Sequence, residues 1–156
     1  MQPRMDVSRL APEAYRAMFA LEKYLAASPL PKITLDLVKL RVSQMNGCAY
    51  CVDMHSHDLK ALGEPDERLF AVVTWREAPF FTPAERAALA LAEEATRLGQ
   101  HGVSDEVWAE AAAQYDEHTL AALVTAIATI NAWNRFGVTL QLVPGSHRSP
   151  ASAASA

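Results

Sequence analysis

Cys48 and Cys51 are the only cysteines in the chain and form a single C-x-x-C pair, and His55 follows four positions later. On a helix turning about 100° per residue, these three side chains fall within roughly 60° of one another. Two thiols and a titratable base on one face suit dithiol redox chemistry. One sulfur attacks, the other resolves the product, and the base handles protons. His55 lies about 6 Å along the axis from Cys51 and about 10.5 Å from Cys48. That spacing favours Cys51 as the attacking thiol and Cys48 as its resolving partner. Gly47 sets the pair at a helix start, where unpaired amides and the helix dipole favour an anion, and this argues for Cys48 instead.

Ionisation alone does not make such a thiol a good peroxidase. A thiol of pKa about 8.5 is ~3% thiolate at pH 7, so full ionisation raises the thiolate at most ~30-fold. Nucleophilicity falls as the pKa falls, and the leaving oxygen also needs a proton. A positioned acid–base group is therefore expected. His55 is the local candidate, and Asp36, twelve residues before Cys48, is the nearest preceding acid. Asp36 is expected to reach the site directly or through water.

The elements that must position these residues read as helices throughout. Apolar periodicity and punctuation predict helices over Pro12 to Ala27, Lys32 to Gln44, Cys48 to Gly63 and Pro65 to Val73. Ala14, Met18, Leu21 and Leu25 mark the first, and Ile33, Leu37, Leu40 and Val42 the second. Thr82-Pro83-Ala84-Glu85 is a strong helix start with a capping box, and that helix ends near Gly99. Ser104 caps another, and Asp116 opens the last, running to about Leu142. No hairpin signal, repeat or linker stands out, so residues 1–143 read as one all-α domain. Residues 144–156, rich in Ser and Ala, read as a disordered tail. The segment Leu120 to Ile130 is apolar round nearly its whole circumference, which predicts burial against a neighbouring subunit.

Composition narrows the classes. The chain has 156 residues, 51% hydrophobic and 21% charged, with a net charge of -4. That fits one globular domain and makes nucleic acid an unexpected partner. The start of the chain lacks the apolar core of a secretory signal, and Leu120 to Ile130 is too short to span a bilayer. A cytoplasmic protein without a membrane partner is therefore expected, and there a C-x-x-C pair is catalytic or metal-binding more often than a staple. Zinc is the metal rival, because the two thiols and His55 offer three ligands. A structural site wants four, and no second Cys/His pair is present. No metal and no cofactor are expected.

The stretch from Leu35 to His55 resembles the core of the alkylhydroperoxidase D-like proteins of the carboxymuconolactone decarboxylase superfamily. It contains Asp36, then eleven residues, Cys48-Ala49-Tyr50-Cys51, three residues, and His55. The likeness continues through Thr82-Pro83-Ala84-Glu85-Arg86 and Ile130-Asn131-Ala132-Trp133-Asn134-Arg135 and covers about Met18 to Leu142. It implies an all-helical fold assembled as a trimer or hexamer. It also implies reduction of hydroperoxides through a sulfenic acid and a Cys48–Cys51 disulfide, reset by an external thiol or dithiol reductant of lipoyl or thioredoxin-like kind. The more reactive cysteine of the family falls on Cys51, the relay histidine on His55 and the relay acid on Asp36. The family usually carries Glu at that acid, and Asp is one methylene shorter, roughly 1–1.5 Å less reach. Decarboxylase members lack the cysteine pair. The rival class is a redox partner that exchanges disulfides without reducing peroxide.

Neighbouring residues have plainer readings. Lys39 and Arg41 read as surface charges that either pair with Asp36 or meet solvent. Asp53 and His57 read as helix-surface residues, and Tyr50 and Met54 as packing. Trp133 reads as core or interface. Asn131 and Asn134, on an apolar helix, need hydrogen-bond partners at the site or at a subunit contact.

Overall fold

The computed structural model describes residues 2–148. Eight α-helices run through them: α1 Val7–Leu10, α2 Pro12–Ala27, α3 Lys32–Met45, α4 Ala49–Ala61, α5 Asp66–Ala71, α6 Pro83–Arg97, α7 Asp105–Gln114 and α8 Glu117–Leu140. A 3₁₀ turn, Val72–Thr74, follows α5, and no strand occurs among the described residues. The expected all-α class and most helix bounds hold. The short α1 lies outside the expected elements, and Asp6 caps it by accepting from the Arg9 amide.

Local chemistry sets the helix starts. Thr82 and Glu85 form the full capping box of α6. Ser104 caps α7, and Asp116 caps α8 by accepting from the Thr119 amide at 2.8 Å. Gly47 has φ +68, a left-handed conformation that glycine adopts without strain, and it reverses the chain between α3 and α4.

α3 is the central helix, packed against α4, α6 and α8. Its faces have three destinations. Leu35, Val38 and Val42 enter one core with Leu91, Leu123, Ile127 and Ile130. Leu37 and Leu40 enter a second with Leu59, Val72, Trp75 and Leu89. The third stripe carries Asp36, Lys39 and Ser43, all buried. A helix enclosed on every side is expected to be apolar all round. Here the ion-paired residues on the third stripe hide that pattern.

The long last helix is partly covered within the chain. Leu120, Leu123, Ile127 and Ile130 are all buried within one chain. Of the segment Leu120 to Ile130, Ala121, Val124 and Ala128 are left exposed. The core thus buries one side of α8 within the chain and leaves these three apolar residues uncovered. In α2 the reverse holds: Leu25 is buried, whereas Ala14 and Leu21 of the same expected stripe are exposed.

Residues 144–148 of the stretch read as a tail lie within the described residues. The chain turns through residues 144–147. The Gly145 amide and the Arg148 guanidinium both donate to Asp53, at 2.9 and 2.6 Å. Two hydrogen bonds to one ionised carboxylate hold this stretch against α4. Residues 149–156 of the expected tail lie outside the described residues.

Candidate functional site

Cys48 is the N-cap of α4, and its Sγ accepts weakly from the Cys51 amide at 3.3 Å. The two sulfurs are joined as a disulfide, with Cα atoms 5.3 Å apart. Both cysteines are buried. They differ in what they face. Cys51 lines a cavity of about 370 Å³ at the junction of α2, α3, α4 and α8, and Cys48 is absent from its wall.

α8 packs against the other side of the pair. A Cβ added at Gly137 would stand 2.6 Å from Cys48 Sγ and 3.3 Å from Cys51 Sγ. Only a residue without a side chain lets the helix pass this close to the sulfurs. Sequence reasoning did not single out Gly137. The signal was available, because glycine inside a long helix costs about 1 kcal/mol and so points to a packing reason.

An amide network fixes the turn that leads into Cys48. Asn46 Nδ2 donates to Asn131 Oδ1 at 3.0 Å and to Asn134 Oδ1 at 2.9 Å. Asn134 Nδ2 donates to Ser43 Oγ at 3.0 Å, and Asn131 Nδ2 to Thr96 Oγ1 at 3.0 Å. Asn131 and Asn134 thus brace the α3–α4 turn against α8. Of the two roles left open for them, the structure shows this one.

His55 and Asp36 are brought to the same cavity as Cys51. His55 Nδ1 lies 3.9 Å from Asp36 Oδ1, about 1 Å longer than a typical N–H···O hydrogen bond. That gap is about the reach lost with one methylene. The same nitrogen lies closer, at 3.5 Å, to Asp58 Oδ2, one helical turn along α4. Neither ring nitrogen of this buried histidine has a hydrogen-bond partner. Contact with the His55 ring lowers the Asp58 carboxyl below the ordinary carboxylate value. Partial burial opposes this, and the nearby charges of His55 and Lys32 add to the lowering. Asp58 was missed in the sequence because it reads as an exposed helix carboxylate, although its i+3 spacing from His55 was visible.

The cations around Asp36 are also redistributed. Lys32, not Lys39 or Arg41, pairs with Asp36, its Nζ donating to Oδ2 at 2.8 Å. Lys39 is buried and bonds Glu22 at 2.5 Å. Arg41 bonds Glu93 at 2.6 Å with its side chain 11% exposed. Neither is the surface charge the sequence suggested. Glu22 also accepts from Trp133 Nε1 at 3.0 Å, so Lys39, Glu22 and Trp133 form one hydrogen-bonded wall. Trp133 meets Tyr15 edge-on, with ring centroids 5.3 Å apart, and Phe19 at 5.5 Å. Tyr50 and Met54, expected to be packing residues, lie on the cavity wall as well. Burial, with Tyr15 and Asp53 nearby, raises the Tyr50 phenol above its ordinary value, so it is neutral at pH 7.

Asp53 sits on a neighbouring face of α4. Besides Gly145 and Arg148, His57 and His147 approach it, each at 3.7 Å. Burial alone would raise this carboxyl, but the hydrogen bond and charge of Arg148 and the Gly145 amide leave it below its ordinary value. It anchors the segment after α8, which the surface reading had not foreseen. His57 is exposed, as expected.

The cavity therefore brings together the Cys51 sulfur, an imidazole whose two nitrogens lack hydrogen-bond partners, the carboxylates of Glu22, Asp36 and Asp58, and an aromatic wall. Among the described residues, Asp36, His55 and Asp58 also place one potential metal-ligand atom each within 4.8 Å of one another.

Residues 12–94 match the Carboxymuconolactone decarboxylase family, more than half of the chain. The chain belongs to that family. Its cysteine pair and helical fold are of the alkylhydroperoxidase D-like kind. It is 39% identical to the uncharacterized protein YdfG of Bacillus subtilis over 90% of this chain and 95% of that one. It is 33% identical to a crystal structure from Agrobacterium tumefaciens, with a TM-score of 0.88 over 92% of this chain and 98% of that one. That structure is of a protein of unknown function, suggested to be the antioxidant defence protein AhpD. The fold is also shared with the debrominase Bmp8, solved in complex with 2,3,4-tribromopyrrole, at 22% identity and a TM-score of 0.78 over 87% and 73% of the two chains.

Proposed function

We propose that the protein is a dithiol peroxidase. The Cys51 thiolate attacks the outer oxygen of a hydroperoxide and breaks the O–O bond. Cys51 becomes a sulfenic acid, and the departing alkoxide takes a proton from the His55 relay and leaves as the alcohol. Cys48 then attacks the sulfenic sulfur, releases water and closes the disulfide. An external dithiol returns both electrons and resets the pair.

The observation that carries this reading is the single cavity shared by Cys51, His55 and Asp36. A nucleophile on an open wall with a proton carrier beside it suits the first step. Cys48, buried and away from the cavity, suits the resolving role. The aromatic wall offers an organic group somewhere to bind. Asp58 is the further partner that orients His55, and its lowered pKa keeps it a carboxylate at neutral pH.

The test is stopped-flow oxidation of the reduced protein by hydrogen peroxide and by organic hydroperoxides. Two thiols should be lost per hydroperoxide, faster than from a free dithiol. The rival reading, a disulfide reductase or redox partner, gains support if thiols are lost only to an oxidised partner protein. A homo-oligomer, a hexamer by family resemblance, completes the proposal, and light scattering should give a multiple of the 17.0 kDa chain. A 17.0 kDa particle would remove the oligomer.

A further inference from the structure

We propose that Asp36 Oδ1, His55 Nδ1 and Asp58 Oδ2 form a zinc-binding site independent of the cysteines, facing the cavity beside Cys51. The cluster has the donor set of zinc, one imidazole and two carboxylates. A nitrogen donor among them disfavours magnesium and calcium, which take oxygen ligands. A tetrahedral zinc with bonds of about 2.0–2.1 Å sets its ligand atoms about 3.4 Å apart. The His55–Asp58 edge is already 3.5 Å, and the His55–Asp36 edge is 3.9 Å. One ligand atom from each of the three residues lies within 4.8 Å of the other two. Asp58, with its side chain half exposed, can move to close the set.

The second observation is the histidine itself. Its side chain is 5% exposed, and neither ring nitrogen has a hydrogen-bond partner. Burying such groups unpaired is costly, and a metal bond at Nδ1 removes half of that debt. Asp36 divides its two oxygens suitably: Oδ2 accepts from Lys32 at 2.8 Å, and Oδ1 faces His55. Lys32 thus opposes the metal by charge without occupying the ligand atom. The other cluster of histidines and acid, around Asp53, is different. There Arg148 already bonds the carboxylate at 2.6 Å, in the place a cation would take.

With zinc bound, Nδ1 can neither give nor take a proton. On the peroxidase reading, zinc would therefore silence the relay reversibly. The binding itself does not depend on that reading, because it is measured without turnover.

The experiment uses the full chain in its disulfide form, so that no thiol can bind the metal. Zinc is titrated against a chromophoric chelator. The expected result is one zinc per chain, weakened at least ~10-fold in Asp58→Asn. His57→Ala should bind as the wild type does. Lys32→Gln should bind several-fold more tightly, because it removes the cation paired with Asp36 Oδ2 and leaves the three ligand atoms in place. The inference is overturned if the disulfide form binds no zinc, or if Asp58→Asn and Lys32→Gln both bind as the wild type does. Peroxide consumption by the reduced wild type, with zinc and then with excess chelator, is a separate readout. A chain that binds zinc but consumes no peroxide keeps this inference and loses the peroxidase reading.

Discussion

At the scale of single residues, His55 governs the account. Its Nδ1 faces two carboxylates, Asp58 at 3.5 Å and Asp36 at 3.9 Å. In the proposed relay Asp58 orients the ring and Asp36 supports it from α3. His55→Ala should slow peroxide reduction by ~10²-fold or more, the scale of general acid–base help. Asp58→Asn should cost less, lowering kcat while leaving KM unchanged, and Asp58→Glu should restore part of the rate. Steady-state kinetics over pH 6–9 reads all three variants. Unchanged rates in His55→Ala and Asp58→Asn would remove the relay. The sequence made Cys48, Cys51, His55 and Asp36 legible, because three of them share a helix face and the fourth follows the family spacing. Asp58 and Lys32 were not legible, since an exposed carboxylate and an exposed lysine look alike whether or not they meet a buried partner.

At the scale of elements, the pairing of α8 with the start of α4 decides how the disulfide is held. An ordinary interior glycine replaced by alanine gains about 1 kcal/mol of helix stability. Gly137→Ala should do the opposite, because the new Cβ would stand 2.6 Å from Cys48 Sγ. Overpacking of this kind costs about 1–3 kcal/mol, read from urea unfolding of the disulfide form. A stabilised Gly137→Ala would mean that the two helices part easily at this point. Helix boundaries were largely legible, because caps such as Thr82, Ser104 and Asp116 are local chemistry. Which helix lies at the centre was not. Asp36 and Lys39 interrupt α3 with charges whose partners, Lys32 and Glu22, become visible only in three dimensions. α8 looks enclosed from its sequence, yet Ala121, Val124 and Ala128 face outward.

At the scale of the whole molecule, buried ion pairs tie the second core together. Glu93 accepts from Arg41, Arg76 and Trp75 Nε1, and Glu85 from Arg68 and the Thr82 amide. Burial would raise both carboxyls, but those donors outweigh it and hold each below its ordinary value of 4.5. A carboxyl with a lowered folded pKa adds stability above its unfolded value and loses it as pH falls through the folded value. The urea midpoint should therefore be flat from neutral pH to about pH 5 and fall progressively below about pH 4.5. A midpoint that rises on acidification would show that these pairs do not stabilise the fold. Such long-range pairs, between residues 17 and 52 positions apart, leave no periodic trace in the sequence.

The central claim is that Cys51 is the sulfur that meets the peroxide, and trapping the oxidised sulfur tests it most directly. Reduced Cys48→Ser and Cys51→Ser are each treated with one equivalent of hydroperoxide and a sulfenic-acid probe, and the modified residue is located by mass spectrometry. The account predicts a trapped sulfenic acid on Cys51 in Cys48→Ser, and no peroxide consumption by Cys51→Ser. A sulfenic acid on Cys48 in Cys51→Ser, formed as fast as the wild type reacts, would contradict it.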